Sequence, residues 1–323
     1  MKKYLNSLTG LRKATGILTL SGLALLATPV AAEDQSPSED NDENGFSAVM
    51  SVGMEYDDNL SVIELDQFSS EDDISLLVDL DLRYNKALGP DTEAEFGYAY
   101  SRSFHQDFDE FDIQSHQLSA DINHQFGDTK GGLTYRFFDF ELDNEQLLDY
   151  QQISPYVSRL FGSQLYTRAS YTYSRKDYDA QADRGRDAKT DAVDVDAYYF
   201  LDGSKLYLSA SYGFRDENAN AAQYDYEANI FKVGVTKKAR MMDYDTKMKL
   251  SYRYEDRDYS SVTPSIGVAR EDTRKRTRFS WEWDINDDIN TIFEYEYNDN
   301  SSNLSSAGYD QNLVSMMVEY AFN

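Results

Sequence analysis

From Phe46 to the C-terminus, apolar residues recur at every second position, the period of a β-strand with one face in an apolar environment. The first run places Phe46, Ala48, Met50, Val52, Met54 and Tyr56 on one face, with Ser47, Ser51, Gly53 and Glu55 on the other. The second sets Ile74, Leu76, Val78, Leu80, Leu82 and Tyr84 against Ser75, Asp79, Asp81 and Arg83. Further runs lie at 94–100, 118–122, 206–214, 248–254, 279–285, 293–297 and 314–322. Weaker ones near 130–142, 150–160, 164–176, 190–201 and 225–237 bring the count to fourteen, within two. Pro155 lacks a ladder donor, and the apolar phase slips between Ile230 and Phe231, where a bulge would restore register.

The connections test this reading independently. Long ones at 57–73, 105–112, 143–149, 177–189, 217–224, 257–271 and 300–308 alternate with short turns around Gly89-Pro90, Gly127-Asp128, Gly162, Asp202-Gly203, Arg240 and Asp287. Transmembrane β-barrels show this asymmetry, with short periplasmic turns, longer extracellular loops and an even strand count. The expected fold is all-β, an antiparallel up-and-down transmembrane barrel with both chain ends on the short-turn, periplasmic side. A soluble β-sandwich, the alternative, would put its polar face outward and need not alternate its loop lengths.

The N-terminus fits the same compartment. Lys2, Lys3, Arg12 and Lys13 precede or flank a short apolar stretch from Gly16 to Ala27, and Val30-Ala31-Ala32 offers a signal-peptidase site. The expected organisation is a signal peptide at 1–32, an acidic disordered periplasmic tail at 33–45 and a barrel at 46–323. Losing four bases and no acid takes the formal charge from -27 to -31. That charge opposes phosphate binding, so no nucleic-acid partner is expected. The absence of cysteine removes disulfides and thiolate chemistry.

The chain carries 26 tyrosines. Tyr56, Tyr84, Tyr98, Tyr100, Tyr252, Tyr254, Tyr295 and Tyr297 fall toward the ends of apolar runs, where a phenol sits well at the headgroup level. Outer-membrane lipid and lipopolysaccharide are the partners this implies.

Glu55 to Leu60 (EYDDNL), Tyr150 to Ser158 (YQQISPYVS) and the terminal Tyr320-Ala321-Phe322 resemble proteobacterial outer-membrane β-barrel porins of the β-barrel porin 2 type. Ser302-Asn303 through Tyr309 to Asn312 and Val314 is also similar to the barrel of surface lipoprotein assembly modifiers. The second resemblance would imply a helical-repeat periplasmic domain, for which this sequence offers no candidate. Tyr320 and Phe322 look like the C-terminal signal read by the barrel assembly machinery, although Asn323 follows the Phe.

If the apolar face meets lipid, the other lines the interior. Acids fall there at Asp79, Asp81, Glu93, Glu95, Asp121, Glu294, Glu296 and Glu319, and bases at Arg215, Lys247, Lys249, Arg253, Arg276 and Arg278. Barrel closure would set an acidic arc against a basic one, a transverse field that disfavours apolar solutes. The expected function is a monomeric or weakly oligomeric porin-like channel for small polar solutes, cation-preferring, with no cofactor. The alternatives are a non-conducting surface or export barrel contacting a polysaccharide or lipoprotein, and an outer-rim hydrolase.

No catalytic residue is assigned. His105 and His116, with Asp107, Asp109 and Asp112, are the one acid/histidine group that could activate water at a barrel mouth, whereas His124 falls on the lipid-facing phase near a turn. Asp40 to Gly45 matches the start of a calcium loop, but its twelfth position is Ser51 where a bidentate Glu is needed, so no metal site is expected. The acids of the first long loop, Asp57, Asp58, Glu64, Asp66, Glu71, Asp72 and Asp73, are expected to be solvated.

Overall fold

The computed structural model describes residues 44–322; the expected signal peptide, nearly all of the acidic tail and Asn323 lie outside them. Fourteen antiparallel strands close into one barrel. In chain order they are β1 (Asn44–Asp57), β4 (Asp73–Gly89), β5 (Thr92–His105), β6 (Ile113–Phe126), β7 (Thr129–Leu142), β8 (Glu145–Phe161) and β9 (Leu165–Tyr178). Then follow β10 (Ala188–Asp202), β11 (Leu206–Ala219), β12 (Tyr226–Met241), β13 (Tyr244–Thr263), β14 (Val268–Asp284), β15 (Ile289–Ser302) and β16 (Tyr309–Phe322). Two dipeptide strands, β2 (Ser61–Val62) and β3 (Gln67–Phe68), pair within the first loop.

Each strand pairs with its sequence neighbours, and the ring is shut by β1 against β16, in register from Ala48↔Phe322 to Asp57↔Leu313. Closure leaves no edge strand to recruit another chain. The polarity is inside-out. Met50, Val52, Met54, Leu76, Val195, Val233, Leu250, Met316 and Val318 are exposed on the outer face, while Ser51, Glu55, Asp79, Ser101, Thr172, Asp196 and Glu319 are buried on the enclosed one. A sandwich buries its apolar faces between two sheets, so this arrangement excludes it. The strands run to 14 residues or more, longer than the 9–11 that cross a bilayer, so they project beyond an apolar belt.

The alternation of connection lengths holds, with two differences. The expected long connection at 143–149 is a two-residue turn, Asp143-Asn144, both at positive φ. A register shift at Phe140/Glu141 and the burial of both Leu147 and Leu148 break the period there and hide the start of β8. The expected loop at 257–271 is mostly strand, with Thr263 still paired to Val268. Its strands carry polar groups on both faces, which erases alternation.

No bulge lies at Ile230/Phe231, since β12 keeps continuous register with both neighbours. Ile230 instead points into the barrel, 1% exposed, and Phe231 points out. Pro155 leaves the expected gap, because the β8–β9 register passes from Ile153 to Tyr156.

One turn carries a strained residue. Met242-Asp243 connects β12 to β13 with φ of 50° and 70°, and Met242 is 91% exposed. The left-handed region is costly for Met and tolerated by Asn, whose short side chain bonds locally. Met242→Asn is expected to stabilise the barrel by about 1 kcal/mol, read from urea unfolding in phospholipid vesicles. An unchanged or lower midpoint would contradict the strain.

Candidate functional site

The site is the enclosed face and the loop that crosses its mouth. Residues 58–72 leave β1, run inward and return to β4. At the near wall, the Gln311 side-chain amide of β16 donates to Asp57 Oδ2 (2.7 Å) and to the Asn59 carbonyl (3.0 Å), while Phe68 stacks on Tyr309 at 5.7 Å between centroids. A single 3-10 turn, Ile63–Leu65, carries the chain across. Leu65 packs against a buried cluster of Ile113, Phe138, Phe140, Leu147, Leu148, Tyr150 and Tyr178. Glu64 accepts a hydrogen bond from Tyr178 (3.0 Å) and lies 3.6 Å from Lys176. Both groups belong to β9, six strands from β1 around the fourteen-strand ring, so the loop spans the mouth.

Asp66 is the anchor. Arg270 of β14 grips its carboxylate with two parallel donations, Nη1 to Oδ2 at 2.9 Å and Nη2 to Oδ1 at 2.7 Å, and Arg186 adds a third at 2.9 Å. Paired arginine–carboxylate bonds of this kind are short, directional and strong. Burial alone would raise the pKa of Asp66, but bonding to Arg270 and the charges of Arg270 and Arg186 hold it down at about 2. The backbone sits at φ 53°, a left-handed position that Asp tolerates.

Behind the loop the enclosed face has two characters. From β4 to β10 it is mixed: the small polar groups Ser75, Ser101, Ser103, Ser115, Thr134, Ser154, Thr172 and Thr190 are buried there around the apolar cluster, with Asp79, Arg168, Lys176 and Asp196 among them. From β11 to β15 it is a charged lattice. Glu255 pairs with both Arg253 and Arg257, Arg278 pairs with Glu296 and, at 3.4 Å, with Glu294, and Arg276 lies 3.3 Å from Glu296. Lys247 meets Glu282 at 3.1 Å. A small cavity of about 30 Å³ sits between the loop and this lattice, lined by Ile63, Arg253, Glu255, Arg274, Arg276 and Asn298 among others.

The strand alternation puts all the expected interior charges on the enclosed face. Arg215, Lys249, Arg253, Arg276 and Arg278 line the charged lattice, with Glu294 and Glu296 among them rather than across from them. Asp79 accepts from Ser101, Glu319 accepts from Asn290 (3.3 Å), and Asp121 accepts from Thr134 (2.6 Å) and Tyr156 (3.1 Å). Asp81 pairs with Arg83 at 2.9 Å, and Glu95 stands opposite Asp121. Glu93 lies near the turn end, half exposed, 3.5 Å from Lys130. The expected opposition is therefore incomplete: the acidic arc exists on β16, β1 and β4–β6, while the basic arc carries its own counter-charges.

The interface tyrosines all take the outer face, but while Tyr56 and Tyr84 lie toward strand ends, Tyr98, Tyr100, Tyr252, Tyr254, Tyr295 and Tyr297 lie in mid-strand, because β5, β13 and β15 continue to His105, Thr263 and Ser302. Sequence reasoning missed the tyrosines on the other face. Tyr150, Tyr178, Tyr198, Tyr207, Tyr226 and Tyr259 are buried inside the barrel, so the tyrosine count reports on the interior as well as on the outer belt. Tyr320 and Phe322 meet edge to face on the outer surface at 4.6 Å.

The acid/histidine group is split across the wall. His105, on the enclosed phase of β5, lies 3.2 Å from Asp112. His116, on the outer phase of β6, pairs with the Tyr98 hydroxyl at 2.9 Å and packs on Tyr100. His124 lies on the outer face beside Thr92 and Phe126, as expected. Nor are the first-loop acids simply solvated. Besides Glu64 and Asp66, Asp58 accepts from the backbone and side chain of Asn312 (2.6 and 2.7 Å), and Asp73 accepts the backbone N–H groups of Asp107 and Phe108 (3.0 and 3.1 Å). Among the described residues no group of three or more His, Asp or Glu side chains is placed to hold a metal ion.

No family model and no curated protein matches this chain. Solved structures with the same architecture do. An anion-selective porin from Comamonas acidovorans aligns with a TM-score of 0.53 at 12% identity, over 86% of this chain and 99% of its own. The outer-membrane channel DcaP of Acinetobacter baumannii aligns with a TM-score of 0.54 at 9% identity, over 86% and 97%. The outer-membrane-expressed OmpT of Vibrio cholerae gives 0.53 at 10%, over 88% and 99%. At such identities the likeness is one of fold, and the chain has the closed antiparallel barrel fold of outer-membrane proteins.

Proposed function

We propose that this protein is an outer-membrane channel for small polar solutes in a Gram-negative bacterium, with its long loops outside and its termini in the periplasm. The carrying observation is the inversion of polarity around a closed ring. Apolar side chains face outward on every strand, while ionised, amide and hydroxyl groups face a shared interior. Such a surface suits a bilayer outside and a hydrated path within. Fourteen strands lie between filled barrels and open pores, so the first loop decides whether the path conducts.

Cation preference follows from which charges are already matched. Each of the six arginines of β13 and β14 has a carboxylate within 4 Å, the six sharing Asp66, Glu255, Asp272, Glu294 and Glu296, whereas Asp79 and Glu319 are held by neutral Ser101 and Asn290. The potential along the acidic arc is thus the less compensated one. In planar bilayers the expected result is brief current steps, with a reversal potential of cation-selective sign under a KCl gradient. Silence from both the wild type and a protein lacking the loop tip would overturn the channel, and an anion-selective sign would overturn the preference. The second reading is a non-conducting surface or export barrel. The loop's complete crossing of the mouth favours it, and silence would establish it.

A further inference from the structure

The first loop does not merely rest in the barrel. It places an apolar side chain and a carboxylate, on consecutive residues, into two different and prepared surroundings. Leu65 packs against the buried cluster that includes Phe138, Phe140, Leu148 and Tyr178. Asp66 lies in the fork of Arg270 with Arg186 beside it.

The receiving groups are held independently of the loop. Arg270 is fixed by Asp272, two residues along the same strand, through Nε to Oδ1 at 2.8 Å and Nη2 to Oδ2 at 2.7 Å, and its guanidinium lies 4.7 Å from the Tyr259 ring. Arg186 stacks over Tyr224 at 4.4 Å. Preorganised donors of this kind keep their geometry when the carboxylate they hold is exchanged for another. The loop is moored to its own wall mainly by hydrogen bonds at Asn59 and Asp58, so its tip can leave while its base stays.

We propose that the Arg270–Arg186 fork and the adjoining apolar cluster form a binding site for small organic monocarboxylates with an aromatic or aliphatic body, for which Leu65 and Asp66 are built-in surrogates. A solute carboxylate takes the place of Asp66, its body takes the place of Leu65, and the loop tip is released from the mouth. Binding and opening are then coupled, because the solute and the loop compete for one site. The coupling to opening rests on the channel reading; the site does not.

The test uses the full chain, purified in detergent and titrated calorimetrically with phenylacetate, phenylacetamide and acetate. Wild type is expected to bind phenylacetate in preference to acetate, which lacks the body, and to ignore phenylacetamide, which lacks the charge. Asp66→Ala removes the competitor and leaves every receiving group, so phenylacetate should bind about tenfold tighter, as expected when a binding-competent state no longer has to be bought from a closed one. Arg270→Met should abolish binding. Since that variant could fail to assemble, Asp66→Ala carries the decision: affinity equal to or weaker than wild type overturns the proposal, as does equal binding of phenylacetamide. The same solutes are then added to bilayers. Binding as described without any current leaves the site standing and removes the channel, whereas current without binding does the reverse.

Discussion

Deleting residues 60–70 is expected to convert brief openings into a lasting open level and to raise the mean current severalfold. The deletion is structurally lenient. Asp57 and Asp73 face each other in the β1–β4 register, and Asp58, Asn59, Glu71 and Asp72 would remain as a four-residue hairpin loop, a common length. Asp58 and Asn59 keep their bonds to β16. Every rung of the fourteen-strand ladder is untouched. What is lost is the span of Ile63 to Asp66 across the mouth and the burial of Leu60 and Val62. Arg270 retains Asp272, and Arg186 keeps Asp183 at 3.9 Å, so neither arginine is stranded. The measurement is single-channel recording of both proteins in the same salt. Equal conductance would mean that the path is closed deeper in the barrel, by the charged lattice itself, and the loop would lose its role as the gate.

The barrel was legible because its signal is collective. A period of two, repeated over fourteen runs and punctuated by alternating loop lengths, survives the failure of any single run. The interior was less legible because alternation assigns only a face, and an apolar residue was read as facing out. Ile230, Phe138, Phe140 and the buried tyrosines contradict that rule locally. They fill an interior that side chains must occupy in a barrel of this size.

The first loop was hidden for a different reason. Its seven acids read as a solvated segment, and the partners that neutralise Glu64 and Asp66, namely Lys176, Arg186 and Arg270, are more than a hundred residues away in sequence. The signal that could have found it was the set Leu60, Val62, Ile63 and Leu65. These are four apolar residues too close together for a loop with nothing to bury. The histidines show the same limit: His105 and His116 sit near each other in sequence, but their strand parity puts them on opposite faces of the wall.

The largest loss of stability is expected from Glu255→Gln. Glu255 is 1% exposed and bridges Arg253 and Arg257 on its own strand, with Arg257 also lying 4.5 Å from the Tyr226 ring. The amide keeps the shape but removes the charge, and its NH2 group presents donors where a guanidinium also donates. Removing one partner of a buried ion pair leaves the other uncompensated, at a cost of about 3–5 kcal/mol. The double variant Glu255→Gln with Arg253→Gln removes one positive charge along with the negative one, and should recover a large part of that loss. Unfolding of the vesicle-inserted barrel in urea, followed through Trp281 and Trp283, gives both values. A loss below about 1 kcal/mol, the level of a solvated surface pair, would show that water reaches Glu255 in the native barrel. The lattice of β11–β15 would then be a wet wall of the conducting path rather than a dry girder beside it. A loss of the expected size, rescued by the second substitution, places the path along the hydroxyl groups of β4 to β10, away from the lattice and beneath the loop.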